Sequence, residues 1–302
     1  MFDKKVIVKV VAPSDTVSVQ DKEKLYIVKE LFENKLPVHV VFSEMIFDES
    51  IVTKLDDLMS SFSDDFVDIV YCWKFCVNSL LRYIDFDTIR RNPKPIFFSD
   101  NTILINAIYA KTGLSTFHAP NFINYRFMDE EVRDRTLQDV RCCMVLLPTF
   151  LTQSSSFCYE QSYNISKLSV ISQGFAKGDS INICSFSLLQ TEYLPEGKDY
   201  ILFLEDDDLC KDFSLLELNR NIESLFCTTI APYVKGIVFG RFQIGSNIQI
   251  QDIVNLIVLK PYLGTLPIVA NFDFGHTFPN YPFKIGGKCI LDTSKLPCLS
   301  FC

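Results

Sequence analysis

Glycine is scarce in this chain, 11 of 302 residues, about half the ~7% usual in globular proteins. That scarcity argues against a glycine-rich loop cradling a nucleotide phosphate, and with it against a flavodoxin-like domain that only binds a nucleotide or solute. Histidine occurs three times and tryptophan once, so each of these side chains can be weighed singly. Long apolar runs are missing too: no segment reaches the about 18 residues that mark a membrane span. The apolar run Val6–Ala12 near the start is short and is followed by no small-residue cleavage site, so it reads as a first strand rather than an export signal. Positive charge is in deficit, with a net charge of −8, which excludes nucleic acid and anionic membrane surfaces as expected partners. The 11 cysteines include no CxxC pair; Cys72 and Cys76 are four apart, and Cys142 and Cys143 are adjacent. Free thiols in a reducing compartment, the cytoplasm, are expected, with no structural zinc.

What is abundant is apolar: 48% of the chain, including 27 phenylalanines. Its distribution alternates short buried strands with helical spacing, the pattern of an α/β fold with a parallel sheet covered by helices. Strands are expected at Val6–Ala12, Val38–Phe42, Val67–Tyr71 and Pro95–Phe98. Helices are expected at Asp21–Asn34, Ile51–Ser61, around Leu80 and Leu81, and at Thr102–Ala110. From 121 to 165 the pattern loosens, and Gln153–Ser156 reads as a surface loop. Strands resume at Ile181–Ser187, Tyr200–Leu204, Gly236–Phe239 and Pro267–Asn271, with a helix at Leu215–Leu225. The expected division is a first domain over 1–150, a linker over 151–175 and a second domain over 176–302.

Three strand ends carry chemistry. Phe97-Phe98-Ser99-Asp100 offers a hydroxyl, Leu202-Phe203-Leu204-Glu205-Asp206 a carboxylate, and Phe274-Gly275-His276-Thr277 an imidazole. Ligands on parallel sheets bind at the carboxyl ends of strands, and these three groups are the parts of a Ser-His-Glu nucleophile. Each also has a plainer reading. Ser99 or Asp100 can be a helix N-cap. Glu205–Asp208 can be a solvated acidic loop or, less simply, a magnesium site. His276 can be a structural loop histidine. His39, inside a strand, reads as a core or interface residue, and His118 can approach the same cleft as Ser99.

These segments resemble the LD-carboxypeptidase family of serine peptidases, which includes the microcin C self-immunity proteins. The resemblance spans nearly the whole chain. It includes Val10-Val11-Ala12-Pro13-Ser14, the stretches Leu80–Asp87 and Ile89–Lys94, Ser99-Asp100 with Thr102, Leu202–Asp206, Gly275-His276 and Pro282–Gly286. It implies a flavodoxin-like N-terminal domain joined to a C-terminal domain with a β-barrel-like sheet. It further implies Ser99 as nucleophile, His276 as general base and Glu205 as its orienter, with the Asp100 N–H in the oxyanion hole. No metal or cofactor is expected, and a homodimer is. The implied substrate is a small peptide cleaved between an L-centre and a terminal D-residue, or, in the immunity branch, an aminoacyl-nucleotide amide.

The chain departs from the family pattern by losing glycines. Arg-Gly-Gly-Tyr-Gly is replaced by Cys72-Trp73-Lys74-Phe75-Cys76, and the glycine two before the nucleophile by Phe97. His-Gly-Pro becomes His118-Ala119-Pro120, Gly-Gly-Asn-Leu becomes Ile183-Cys184-Ser185-Phe186, and Gly-Thr becomes Gln190-Thr191. Glycine allows close backbone approach to a ligand, so Trp73 and Lys74 are expected to add bulk beside the substrate and oxyanion. Two readings follow: an active serine hydrolase of altered specificity, or an impaired member kept for binding, its cleft filled by Trp73, Phe75 or Phe97.

Overall fold

A computed structural model of the chain describes residues 5–14, 16–74, 78–99, 102–145, 168–183 and 191–301. Two units divide it: Met1–Gln153 with Tyr281–Phe283, and Ser154–Asn280 with Lys284–Cys302.

The first unit is built on parallel strands. β1 (Val6–Val11), β2 (Val38–Val41), β3 (Ile69–Cys72), β4 (Ile96–Phe98) and β5 (Thr116–His118) lie in the order 2-1-3-4-5, the flavodoxin-like order. Every residue of β3, β4 and β5 is buried, as strands covered on both faces require. α1 (Lys22–Lys35) buries Leu25, Val28 and Phe32, a stripe at helical spacing. α2 (Ile51–Ser63) buries Leu58 and Phe62 together with Asp57, whose carboxylate pairs with Lys9 of β1 at 2.9 Å. α3 (Phe86–Arg91) starts at Asp85, whose side chain accepts from the Asp87 and Thr88 amides. α4 (Thr102–Thr112) follows β4, and α5 (Glu130–Val145) follows β5.

Phe97 is fully buried. Its ring stacks between Tyr71 at 5.4 Å and Phe117 at 4.7 Å. The register explains the stack, because Tyr71 pairs with Phe97 across β3–β4 and Phe97 with Phe117 across β4–β5. Three aromatics in register on one face make a cross-strand ladder.

The second unit carries a sheet that curls into a half-barrel. Its strands are β6 (Ser169–Ser172), β7 (Phe175–Ile183), β8 (Tyr200–Leu204), β9 (Val234–Gly240), β10 (Ile268–Phe272), β12 (Lys288–Asp292) and β13 (Leu299–Phe301), in the order 13-12-7-8-9-10-6. β11 spans Phe283–Ile285, and its first residue, Phe283, is counted with the first unit. The central strands β7 to β10 are parallel, and antiparallel strands flank them on each side. α6 (Ser214–Phe226) and α7 (Ile250–Val258) bury Leu218, Ile222, Leu225 and Ile253, Leu256, Ile257 respectively.

Three elements differ from the sequence reading. The interval expected as a linker over 151–175 contains β6, held by antiparallel pairing to β10. The loosened stretch from 121 holds α5, a helix of 16 residues, whose buried Leu137, Val140 and Met144 are spaced three and four apart and flanked by charge. His39 is on the surface rather than in the core: its β2 position faces outward, and Nδ1 lies 2.8 Å from Glu33. Among the described residues no helix is long and apolar enough to cross a membrane.

Candidate active site

β8 is buried along its whole length and ends where the acidic run begins. Glu205, the next residue, is 1% exposed, so its carboxylate sits at the carboxyl end of a central parallel strand. β10 ends at Phe272, and a loop from Asp273 to Pro279 then carries His276. Its Nδ1 lies 3.2 Å from Glu205 Oε2. A buried carboxylate on Nδ1 fixes the tautomer with the proton there and leaves Nε2 as the basic atom.

The loop needs glycine at one point. Gly275 has φ +100°, and a Cβ there would meet Glu205 Oε2 at 2.9 Å. Backbone and carboxylate can approach this closely only where there is no side chain. Three further contacts fix the loop. Asn280, 1% exposed, donates from Nδ2 to Gly275 O at 2.7 Å. Arg241, just past β9, pairs with Asp273 at 2.9 Å and donates to Pro279 O at 2.8 Å.

Asp206 is the second carboxylate of the acidic run. Burial, followed by the neighbouring Asp207 charge, pushes its carboxyl up to about 6; the Asp207 amide and His276 act in the opposite sense. The run thus places two carboxylates of different character in succession, one paired with the imidazole and one poised to titrate. Among the described residues no group of three or more His, Cys, Asp or Glu is arranged to hold a metal ion.

Ser99 belongs to the first unit. It follows the last residue of β4, is 1% exposed, and its N–H donates to Asn121 Oδ1 at 3.2 Å. Asp100 lies outside the described residues, as do Phe75, Cys76, the segment Cys184–Phe186 and Gln190. His118 is fully buried at the end of β5 and stacks on Phe283 at 4.8 Å.

Trp73, expected beside the substrate, is instead part of the first unit's hydrophobic core. It is fully buried, 6.4 Å from the Phe122 ring. Its N–H donates to Val11 O at 2.9 Å and its carbonyl accepts from Ile123 at 3.2 Å. The first of these bonds continues the β1–β3 pairing by one residue, and the indole lies in the apolar interior. Lys74 is half-buried, and its charge is one of the influences that lower the Asp21 carboxyl.

Asn121, Arg241 and Asn280 were not singled out in the sequence, and Asp206 entered only as part of the acidic run. Asn121 follows His118-Ala119-Pro120 directly, so extending that motif by one residue finds it. Arg241 and Asn280 have no sequence signal, because their partners are backbone carbonyls and one carboxylate brought together by the fold.

The comparisons with known proteins agree along the chain. The sequence model of the LD-carboxypeptidase N-terminal domain matches residues 8–119, and that of the LD-carboxypeptidase C-terminal domain matches residues 174–291. YocD of Bacillus subtilis (strain 168), a candidate carboxypeptidase by its name, is 33% identical over 94% of this chain and 93% of its own length. The crystal structure of an MccF-like protein from Bacillus anthracis (strain Ames) is 30% identical, with a TM-score of 0.82 over 99% of this chain and 97% of that one. A structure of MccF in complex with glutamyl sulfamoyl guanosine shares the fold, with a TM-score of 0.76 at 21% identity over 98% of this chain and 95% of that one.

Proposed function

Because this chain belongs to the LD-carboxypeptidase family, we propose that it is a serine hydrolase cleaving a terminal amide or peptide bond of a small peptide-like substrate. The observation that carries the reading is the Glu205–His276 pair, 3.2 Å apart with the carboxylate side chain fully buried. Such a pair has a chemical use: it readies an imidazole to take a proton and stabilises the imidazolium that forms.

In this reading His276 Nε2 accepts the Ser99 hydroxyl proton as Oγ attacks the scissile carbonyl carbon. The tetrahedral intermediate collapses as His276 returns that proton to the departing amine, leaving an acyl ester on Ser99. Water, deprotonated by the same Nε2, then releases the acid and restores the serine. Glu205 stays ionised throughout and holds the ring by Nδ1. The substrate is an L,D-linked peptide or an aminoacyl-nucleotide amide. The second possibility is supported by the ligand in the MccF structure, a glutamyl sulfamoyl guanosine. The reading includes a homodimer acting in the cytoplasm, as the family resemblance implies.

A second reading, an impaired member kept for binding, has one observation in its favour: Ser99 is only 1% exposed. Hydrolysis of an L,D-linked tetrapeptide and of an aminoacyl sulfamoyl adenosine, comparing wild type with Ser99→Ala, separates the two. Turnover lost in Ser99→Ala establishes the hydrolase and picks the substrate class. No turnover of either by folded protein supports the binding reading.

A further inference from the structure

We propose that Arg241 is a positioning residue for His276, a clamp across the base of the loop that carries the imidazole. The inference rests on the reading of His276 as general base. A single guanidinium nitrogen, Nη2, reaches Asp273 Oδ1 at 2.9 Å and Pro279 O at 2.8 Å. These two acceptors lie three residues before and three residues after His276, so one cation ties both stems of the loop together. The residues in between include the positive-φ Gly275 and His276 itself.

The anchor is a rigid one. Arg241 directly follows Gly240, the last residue of β9, a strand paired with β8 and β10 on its two sides. The strand end and the loop are in close backbone contact. The Arg241 N–H points to Phe274 O at 3.4 Å, and a Cβ on Gly240 would stand 2.7 Å from that same oxygen. From within the loop, Asn280 adds its own bond to Gly275 O. The imidazole is therefore held by Glu205 through its ring and by Arg241 and Asn280 through its backbone. A general base on a loop needs this, since misplacement of about 1 Å can cost roughly 10²-fold in rate.

The chemistry also predicts which substitutions are tolerated. Both bonds come from one nitrogen, and Arg241 Nε is buried with no hydrogen-bond partner among the described residues. The planar fork of the guanidinium is not used. A lysine ammonium, a single nitrogen with three donors, can serve the same two acceptors, whereas methionine fills the space and serves neither.

The test combines kinetics with nitrogen-15 NMR of histidine-labelled protein. The chain has three histidines, so the ring spectrum is sparse, and His276→Gln assigns the signal of interest. In Arg241→Met, kcat is expected to fall about 10²-fold with KM within twofold, and the protected His276 Nδ1–H signal is expected to be lost. In Arg241→Lys, both recover most of the way. If wild type shows no Ser99-dependent turnover, the functional reading fails, yet the ring signal still decides the clamp. Should Arg241→Met fail to fold, as the His39 and His118 signals would reveal, Asp273→Asn weakens the same clamp and is read by the same signal. Retention of kcat and of the Nδ1–H signal in a folded Arg241→Met or Asp273→Asn overturns the proposal. So does a loss that falls on KM alone, or a lysine variant no better than methionine.

Discussion

Replacing Gly275 by alanine perturbs two things at once, and a second glycine separates them. Gly275 has φ +100°, and its added Cβ would stand 2.9 Å from Glu205 Oε2 and 3.2 Å from Glu205 Cβ. Gly113 also has positive φ, +74°, but a Cβ there meets nothing within 4 Å. Gly113→Ala therefore carries backbone strain alone, about 1–2 kcal/mol. Gly275→Ala carries that strain plus the overpacking of a buried carboxylate, for a total of about 2–5 kcal/mol. Relief of the close contact moves the carboxylate by about 0.5 Å, enough to take its 3.2 Å contact with His276 beyond hydrogen-bonding distance. The expected kinetic result is a fall of about 10²-fold or more in kcat. Urea unfolding of both variants and kcat on the substrate that wild type hydrolyses give the comparison. Equal stability losses for the two glycines, with kcat of Gly275→Ala within threefold of wild type, would refute the reasoning.

Two further predictions concern neighbouring groups. Asp206 titrates at about 6 in the folded chain against an ordinary 3.8, so between those values the folded state holds a proton that the unfolded chain has released. Stability attributable to this group therefore falls as pH rises through that window and is level above it; Asp206→Asn is expected to flatten the slope and to raise stability at pH 7, measured by urea unfolding across pH 4 to 8. Phe97→Gly removes the middle ring of the Tyr71–Phe97–Phe117 stack; a loss of about 3–5 kcal/mol with no gain in activity is expected, and a gain in activity would show that the ring obstructs the site.

Much of the fold can be read from the chain because its signals are local. β1 to β4 and β8 to β10 are short apolar runs closed by turn residues, and α1, α2 and α6 have stripes at helical spacing. α5 escaped that reading because Glu130, Glu131, Arg133, Asp134 and Arg135 crowd its opening turns and thin the apolar stripe. β6 escaped because Ser-Val-Ile-Ser has little apolar content and owes its strand to a distant partner, β10. At the site, Glu205 was legible as a polar residue ending a strand, whereas His276 lies four residues past the end of β10, in the loop that follows. Trp73 misled because its position in a motif says where the backbone runs, not which way the indole turns. Local strand pairing to Val11 decides that. Arg241 was illegible for a related reason: its partners are a carbonyl 38 residues away and a carboxylate, neither of which leaves a pattern in the sequence.

The central claim is that Ser99, Glu205 and His276 act as one catalytic unit, and the most direct test is a double-mutant comparison. Single-turnover hydrolysis would be measured for Ser99→Ala, His276→Ala and the pair combined, each folded by circular dichroism. Residues acting as a unit are grossly non-additive, each single loss costing about 10⁴–10⁶ in rate. The expected result is two severe single losses and a double variant no slower than the worse single. Losses that multiply in the double variant, or a Ser99→Ala protein that keeps its turnover, would contradict the account.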